Sequence, residues 1–427
     1  MTNTLPKTEQ FRIELQGNGL VHLIFDCPTR SMNVFSNAAI HELGAFAAWL
    51  KDADVKGVVL RSSKDNAFCA GADLTELGVA YDMIVASRAN DRFDIAYNHF
   101  FPLSHAIRKL ETAGKPVAAA IGGIALGGGC ELTMGAHYRV AVDSPKVFLG
   151  LPESAVGLLP GAGGTQRMPR LVGLEIALDV LLRGRNLSGQ DAKKAGLIDE
   201  LVNAGEEVAA AERWLLSDAA HAVQPWDRAD YVPALHAEAA PILAANRKGE
   251  LTRMLGHEPA PLAILDCVEL GYMQPMDGAI RSEMSVFARL IQRSEARNMI
   301  QTLFLAKQAY DRAKRKDAFS SATTAAISEI SSAIESQSAD NRALAAAGFT
   351  KTGMGMPAPV QDRVAPDYWI KCSADPLALK AQQSIDAIKG VAAKHAGGLS
   401  EEEQAIINYA ATLAGYPVYL EGVMTGK

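Results

Sequence analysis

Two glycine-rich turns fix what this 427-residue chain can be built around. Ala125-Leu126-Gly127-Gly128-Gly129-Cys130 runs straight into Glu131, and Pro160-Gly161-Ala162-Gly163-Gly164 follows soon after Leu151-Pro152-Glu153. Apolar runs at residues 116–121 and 138–142 read as buried strands adjoining these turns, which predicts an α/β layout with turns at strand ends. Glycine lets a backbone approach a ligand with its N–H groups exposed. Two carboxylates on one pocket can divide the work of moving a proton and activating a water. The chain therefore reads as an enzyme of polarised carbonyl chemistry.

The first 80 residues alternate strand and helix signals. Phe11, Ile13 and Leu15 alternate with polar residues, Gly17-Asn18-Gly19 supplies a hairpin turn, and residues 21–25 return as a second strand. Ile40, Leu43, Phe46 and Leu50 share one face of a helix over 38–50, followed by a buried strand over 55–60. From about residue 165 the signal is almost purely helical. Residues 173–183 and 188–195 read as short helices, the latter with Ser188 as N-cap and Gly196 as stop. The clearest helix covers 294–314, with Met299, Leu303, Leu305 and Ala309 as its apolar side and a basic end that suits a C-terminus. A Ser, Ala and Thr-rich stretch at 317–324 marks a boundary. Beyond it, Ile327, Ile330 and Ile334 share a helical face, as do Leu377, Ile385 and Ile388. Ser400 with Glu403 forms a capping box ahead of Ile406, Tyr409 and Leu413. Residues 348–367, rich in Gly and Pro, read as a loop.

Composition excludes several classes. Hydrophobic residues make up 48% and charged residues 21%, enough for two or three domains with full cores. Lys plus Arg total 42 against 48 Asp plus Glu, and with a formal charge of −6 and no basic stripe neither nucleic acid nor an anionic membrane is an expected partner. The five cysteines, Cys27, Cys69, Cys130, Cys267 and Cys372, form no C-x-x-C pair and no Cys/His spacing that would nest a metal, so no metal site is expected. Reduced thiols, with no apolar run of about 18 residues and no signal or organelle presequence at the N-terminus, point to a cytoplasmic protein.

Ala67-Phe68-Cys69-Ala70-Gly71-Ala72-Asp73-Leu74 completes a set of motifs with Asn33, the turn ending in Glu131, Leu151-Pro152-Glu153, and Pro160 through Thr165-Gln166-Arg167. In this order they resemble the enoyl-CoA hydratase/isomerase (crotonase) superfamily, densely over residues 10–200. The region up to residue 316 resembles the segment that follows the hydratase part of multifunctional fatty-acid oxidation alpha subunits. The resemblance implies an α/β fold with a crotonase-like ββα spiral core, followed by a helical extension and a separate helical C-terminal region. The expected divisions are a catalytic core at 1–200, a helical extension at 201–316 and a helical accessory region at 317–427.

The resemblance also implies roles. Backbone N–H groups of Ala72 and Gly128 would form the oxyanion hole for a thioester carbonyl, where a well-aimed donor is worth about 2.7–4 kcal/mol. Glu131 would help activate the water that attacks C3 of a 2-enoyl-CoA, and Glu153 would handle the proton at C2. Gly161 would help place that water; Ala70, Asp73 and Leu74 would lie along the CoA adenine, with Gly71 and Gly127 also in the substrate-binding loops. The plain alternatives are glycine turns that merely join strand to helix, a helix-terminus charge for Glu131 and a surface carboxylate for Glu153. Asn33 and Arg167 read as structural, and His22 and His137 as core or surface histidines rather than bases. No cofactor is expected, because CoA arrives with the acyl-CoA substrate.

The departure from the family lies after residue 316, where the alpha subunits continue into an NAD-binding domain. Gly353-Met354-Gly355-Met356-Pro357-Ala358 lacks a preceding strand and carries a proline in its turn, so no dinucleotide site is expected. The tail thus reads as an eroded remnant or an unrelated helical cap. Two alternatives to a hydratase stay open: a Δ3,Δ2-enoyl-CoA isomerase, and a non-catalytic acyl-CoA-binding scaffold subunit that docks a thiolase or dehydrogenase. Assembly is open as well, since homo-oligomers are common in the family while the helical extension can cover the same surface within one chain. Acyl-chain length depends on a pocket wall expected from residues 77–101.

Overall fold

In the computed structural model, residues 4–233, 236–254, 258–338, 376–417 and 419–424 are described. Contacts divide the chain into two compact units, Met1–Ile242 with Ala263–Arg289, and Leu243–Leu262 with Leu290–Lys427. Neither 200 nor 316 is a break between these units.

The first unit opens as the expected hairpin. Strands β1 (Phe11–Leu15) and β2 (Leu20–Phe25) pair antiparallel with Phe11 opposite Phe25, whose rings stack at 4.3 Å. Helix α1 (Asn37–Leu50) starts on Ser36, whose side chain accepts the Ala39 N–H. It buries Leu43, Phe46 and Leu50 as expected, with Ala39 and Ala47 completing the face while Ile40 stays half-buried. Three ββ units follow: β3 (Gly57–Ser62) with β4 (Ala67–Cys69), β5 (Val117–Ile121) with β6 (Ile124–Leu126), and β7 (Tyr138–Val142) with β8 (Phe148–Gly150). The first leads into α2 (Leu74–Ala86) and α3 (Arg92–Glu111), and the second into α4 (Gly128–Met134). The third continues through a 3-10 turn, Pro152–Val156, to α5 (Gly164–Val172) and α6 (Leu174–Arg183).

Each unit sends one strand to each of two sheets. One sheet has the order β1-β2-β3-β5-β7-β10 and the other β4-β6-β8-β9, where β9 is Asn186–Ser188 and β10 is Glu200–Val202. Apart from the antiparallel β1–β2 and β8–β9 pairs, the strands run parallel. This is the ββα spiral, and it stacks the C-terminal ends of β4, β6 and β8 in one place. Strands β9 and β10 add to the almost purely helical pattern expected after residue 165. At three residues each, they are too short for an alternation to register. Helix α7 (Gly189–Ala195) has the expected Ser188 cap and stops at left-handed Gly196. Helix α8 (Glu207–Leu215) covers the larger sheet, packing Ala210, Ala211 and Leu215 on Leu20, Val59, Ala118, Ala120 and Val140.

After α9 (His236–Met254) and α10 (Pro259–Gly271), α11 (Met276–Leu290) packs Met276 and Ile280 with Trp226 in the first unit. In the second unit, the expected long helix over 294–314 is three segments, α12 (Ser294–Ile300), a π-helical stretch Gln301–Ala306 and α13 (Lys307–Arg315). The wider π turn interrupts the 3.6-residue period that the sequence pattern follows. Helices α14 (Ser321–Ser338), α15 (Pro376–Ala393) and α16 (Glu401–Ala414) enclose a core of Ile330, Ile334, Ile388, Ile407, Ala411 and Tyr416. The Ser400–Glu403 capping box forms in full. Leu413, expected inward, is 44% exposed; Ile407, Ala410 and Ala411 take its place beside Ile406. Cys372, the loop expected at 348–367, the glycines near 353 and the side chain of Leu377 lie outside the described residues.

Candidate functional site

The loop after β4 and the turn after β6 meet backbone to backbone. Gly71 has φ +100°, and a Cβ there would sit 3.2 Å from the Leu126 carbonyl and 3.8 Å from the Gly128 nitrogen. A Cβ on Gly129 would fall 2.4 Å from the Cys69 carbonyl oxygen, so only glycine lets α4 start this close to β4. Two amides are left open here. The Phe35 N–H donates to Gly71 O at 2.8 Å and Asp73 N–H to Phe35 O at 3.0 Å, the pattern of a parallel bridge that turns the intervening Ala72 N–H away from Phe35. Gly128 is the first residue of α4, so its N–H has no acceptor within the helix. Among the described residues, neither amide donates to a backbone carbonyl.

The two glutamates flank the same turn. Glu131 lies in the first turn of α4, only 2% exposed, and its Oε1 accepts the Ala162 and Gly164 N–H groups at 2.7 Å each. Glu153 sits in the 3-10 turn after β8. Its Oε1 is 2.8 Å from where a Cβ on Gly127 would stand, while its buried Oε2 has no hydrogen-bond partner among the described residues. Burial pushes Glu131 up to about 7, against the opposing pull of two amides and Arg167. Glu153 goes well above the usual carboxylate range, first by burial and then by the charge of Glu131. With two environments that differ in hydrogen bonding, Glu131 is the carboxyl more readily ionised and Glu153 the one that keeps its proton.

Three buried ionisable groups, Arg167, Glu111 and Glu283, complete the site. Arg167 and Glu111 are both fully buried; Arg167 Nε donates to Glu111 Oε1 at 3.1 Å and Nη2 to Oε2 at 2.8 Å, while Nη1 donates to Ala162 O at 3.1 Å. Arg167 therefore has the structural role expected of it, holding the 160–165 loop by a carbonyl. Glu283 of α11 joins the site although it belongs to none of the motifs. Its Oε1 accepts the Gly163 N–H at 2.7 Å, and Oε2 accepts the Thr165 N–H at 3.0 Å and the Thr165 hydroxyl at 2.5 Å. Burial and the nearby Glu131 push Glu283 up to about 8. The sequence does carry a signal for it. Ile280, Glu283, Met284 and Phe287 share one helix face, so an acid stands at a position where the pattern calls for an apolar residue.

The remaining candidates divide. Gly161 lies in the same loop, its missing Cβ position 3.0 Å from the Phe287 ring. Gly127, with φ +52°, separates the Gly71 backbone from the Glu153 carboxylate. Ala70 N–H donates to Asn33 O at 2.9 Å. Asp73 is the N-cap of α2: Oδ1 accepts the Thr75 N–H at 3.0 Å and Oδ2 pairs with Arg30 at 2.5 Å, while Leu74 opens the helix. Asn33 ties three strand ends, donating to Phe25 O, Ser62 Oγ and Phe68 O and accepting from Cys27 N–H. His137 accepts the Val117 N–H, and burial pushes it down to about 4. His22 pairs with Glu212. Neither histidine has a hydrogen bond to Glu131, Glu153 or Glu283.

A pH dependence of stability follows from Glu131. Its carboxyl titrates in the folded protein at about 7 instead of the ordinary 4.5, so the stability it contributes is fully present below 4.5 and lost as pH rises through about 7. Glu131→Gln keeps an oxygen for the two amides and removes the titration. Its Tm relative to the parent chain is therefore expected to rise by several degrees between about pH 5 and pH 8. Calorimetry at both values checks this, and a gap independent of pH would contradict it.

Residues 16–252 match the family model described as enoyl-CoA hydratase/isomerase. Among curated proteins, the fatty acid oxidation complex subunit alpha of Shewanella halifaxensis is 33% identical over 298 residues, covering 69% of this chain and 40% of the relative. That of Shewanella loihica is 34% identical over 304 residues, covering 70% and 41%. The chain thus spans about two fifths of the length of these relatives. Among solved structures, an enoyl-CoA hydratase from Bacillus anthracis is 25% identical with a TM-score of 0.42, covering 69% of this chain and 96% of that one. No helix of the described residues is long and apolar enough to cross a membrane.

Proposed function

We propose that this chain, which belongs to the enoyl-CoA hydratase/isomerase family, adds water across the double bond of a trans-2-enoyl-CoA to give a 3-hydroxyacyl-CoA. The observation that carries the reading is a pair of carboxylates in unlike environments, buried Glu131 held by two amides and half-buried Glu153 whose buried Oε2 has no hydrogen-bond partner among the described residues, beside the two open amides of Ala72 and Gly128. The thioester carbonyl oxygen accepts both N–H groups, which stabilises the negative charge it gains as C3 is attacked. Ionised Glu131 takes a proton from water as its oxygen bonds to C3. Protonated Glu153 delivers a proton to C2. A later proton transfer from Glu131 to Glu153 through solvent restores both groups. CoA arrives with the substrate and no separate cofactor takes part. The names of the relatives support acyl-CoA esters of fatty acid oxidation as the substrate class.

The test is to supply crotonyl-CoA, decenoyl-CoA and the matching 3-enoyl-CoA esters, and to quantify 3-hydroxyacyl-CoA and shifted double bonds by mass spectrometry. Formation of 3-hydroxyacyl-CoA faster than double-bond migration is expected. Migration without water addition would make the protein an isomerase, and binding without either reaction would make it a scaffold. The oxyanion assignment has its own check. A Cβ at residue 128 would stand 3.1 Å from the Phe35 ring and 3.4 Å from Leu103, so the branched side chain of Gly128→Val crowds these neighbours and should displace the 128 amide from its open position. Turnover is expected to fall by about 10²-fold or more; unchanged turnover would misplace the hole.

A further inference from the structure

The N–H groups of residues 162–165 point alternately to two acids: those of Ala162 and Gly164 to Glu131, and those of Gly163 and Thr165 to Glu283. The loop is a strap strung between two carboxylates that arise on α4 and α11. Glu283 grips the residues on either side of Gly164, and so sets the direction in which the Gly164 amide meets Glu131 Oε1. A turn later on α11, the Phe287 ring packs on Gly161, so one helix fixes both the start and the end of the strap. The Thr165 hydroxyl is itself held, accepting from Gln166 Nε2 at 2.9 Å, which leaves its proton for Glu283.

We propose that Glu283 is a positioning residue for the reaction, acting through the 162–165 amides to hold the Glu131 carboxylate in its working orientation. This rests on the hydratase reading above. Glu283 does not exchange a proton with substrate, and its hydrogen bonds to the strap are with Gly163 and Thr165. It keeps the strap from turning, and a misplacement of about 1 Å at a reacting group costs on the order of 10²-fold in rate.

Glu283→Gln offers one acceptor oxygen and one NH2 group, so it cannot receive both loop amides. The expected result is kcat lowered about 10- to 100-fold per folded molecule with KM within about threefold of the parent. Hydrogen–deuterium exchange should rise in the peptide covering 160–167. Thr165→Val, which removes only the hydroxyl bond, should lower kcat less and leave KM alone. It carries the test if the glutamine variant does not fold. Unchanged kcat in a folded variant, or unchanged exchange at 160–167, would overturn the proposal. If the parent chain shows no hydration, the hydratase reading fails instead. Exchange then decides the strap: a rise confined to 160–167 upholds the grip of Glu283, and no rise overturns it.

Discussion

If the proposed hydration is right, Glu131→Gln and Glu153→Gln should each lower its rate by about 10²-fold or more, the usual loss when a positioned acid or base is removed, while binding of the CoA ester should survive. The substitutions are informative because the geometry predicts little else will change. Glutamine at 131 still presents an oxygen to the Ala162 and Gly164 N–H groups, so the loop should keep its shape while the ionisable group, the proposed base, is lost. At 153 an amide fills the same volume but has no acidic proton for C2. In the parent chain, kcat/KM should rise as pH passes through about 7 and Glu131 ionises, and fall at higher pH as Glu153 loses its proton. The rising limb should vanish in Glu131→Gln. Single-turnover kinetics with calorimetric binding checks both parts, and near-parental turnover in either variant would remove the paired-carboxylate mechanism.

Arg167→Met should be the most damaging change to stability, by about 3–5 kcal/mol. Arg167 and Glu111 have fully buried side chains, and the arginine forks onto both carboxylate oxygens. Methionine approximates the aliphatic stem but leaves Glu111 with Arg108 as its remaining cation, strips the Ala162 carbonyl of its donor, and removes the charge that moderates both Glu131 and Glu283. Chemical denaturation measures the loss as a lower midpoint at unchanged slope. A loss below about 1 kcal/mol would mean that Arg108 alone satisfies Glu111.

What was legible in the sequence was local. Gly71, Gly127, Gly128 and Glu131 fall within short runs whose glycines have a backbone reason to be there, and α7 and α16 announce themselves with Ser188 and Ser400 at their caps. Glu283 stands out in the sequence only as an acid on an apolar helix face, and nothing local says what it binds. Its partners Gly163 and Thr165 are 120 and 118 residues away, and a lone acid on a helix ordinarily marks a solvated face. The same limit applies to Arg167 and Glu111, whose pairing no period or cap encodes. Strands β9 and β10 were missed because three residues of edge strand are specified by the neighbour they pair with, here β8 and β7. At Leu413 the apolar pattern pointed inward, whereas the small residues Ala410 and Ala411 face the core.

Incubating the chain with a trans-2-enoyl-CoA in oxygen-labelled water, with the product read by mass spectrometry, decides whether it adds water. The expected product is a 3-hydroxyacyl-CoA carrying the label at C3, lost in both Glu131→Gln and Glu153→Gln. Recovery of unlabelled enoyl-CoA, whether unchanged or with its double bond moved, would contradict it.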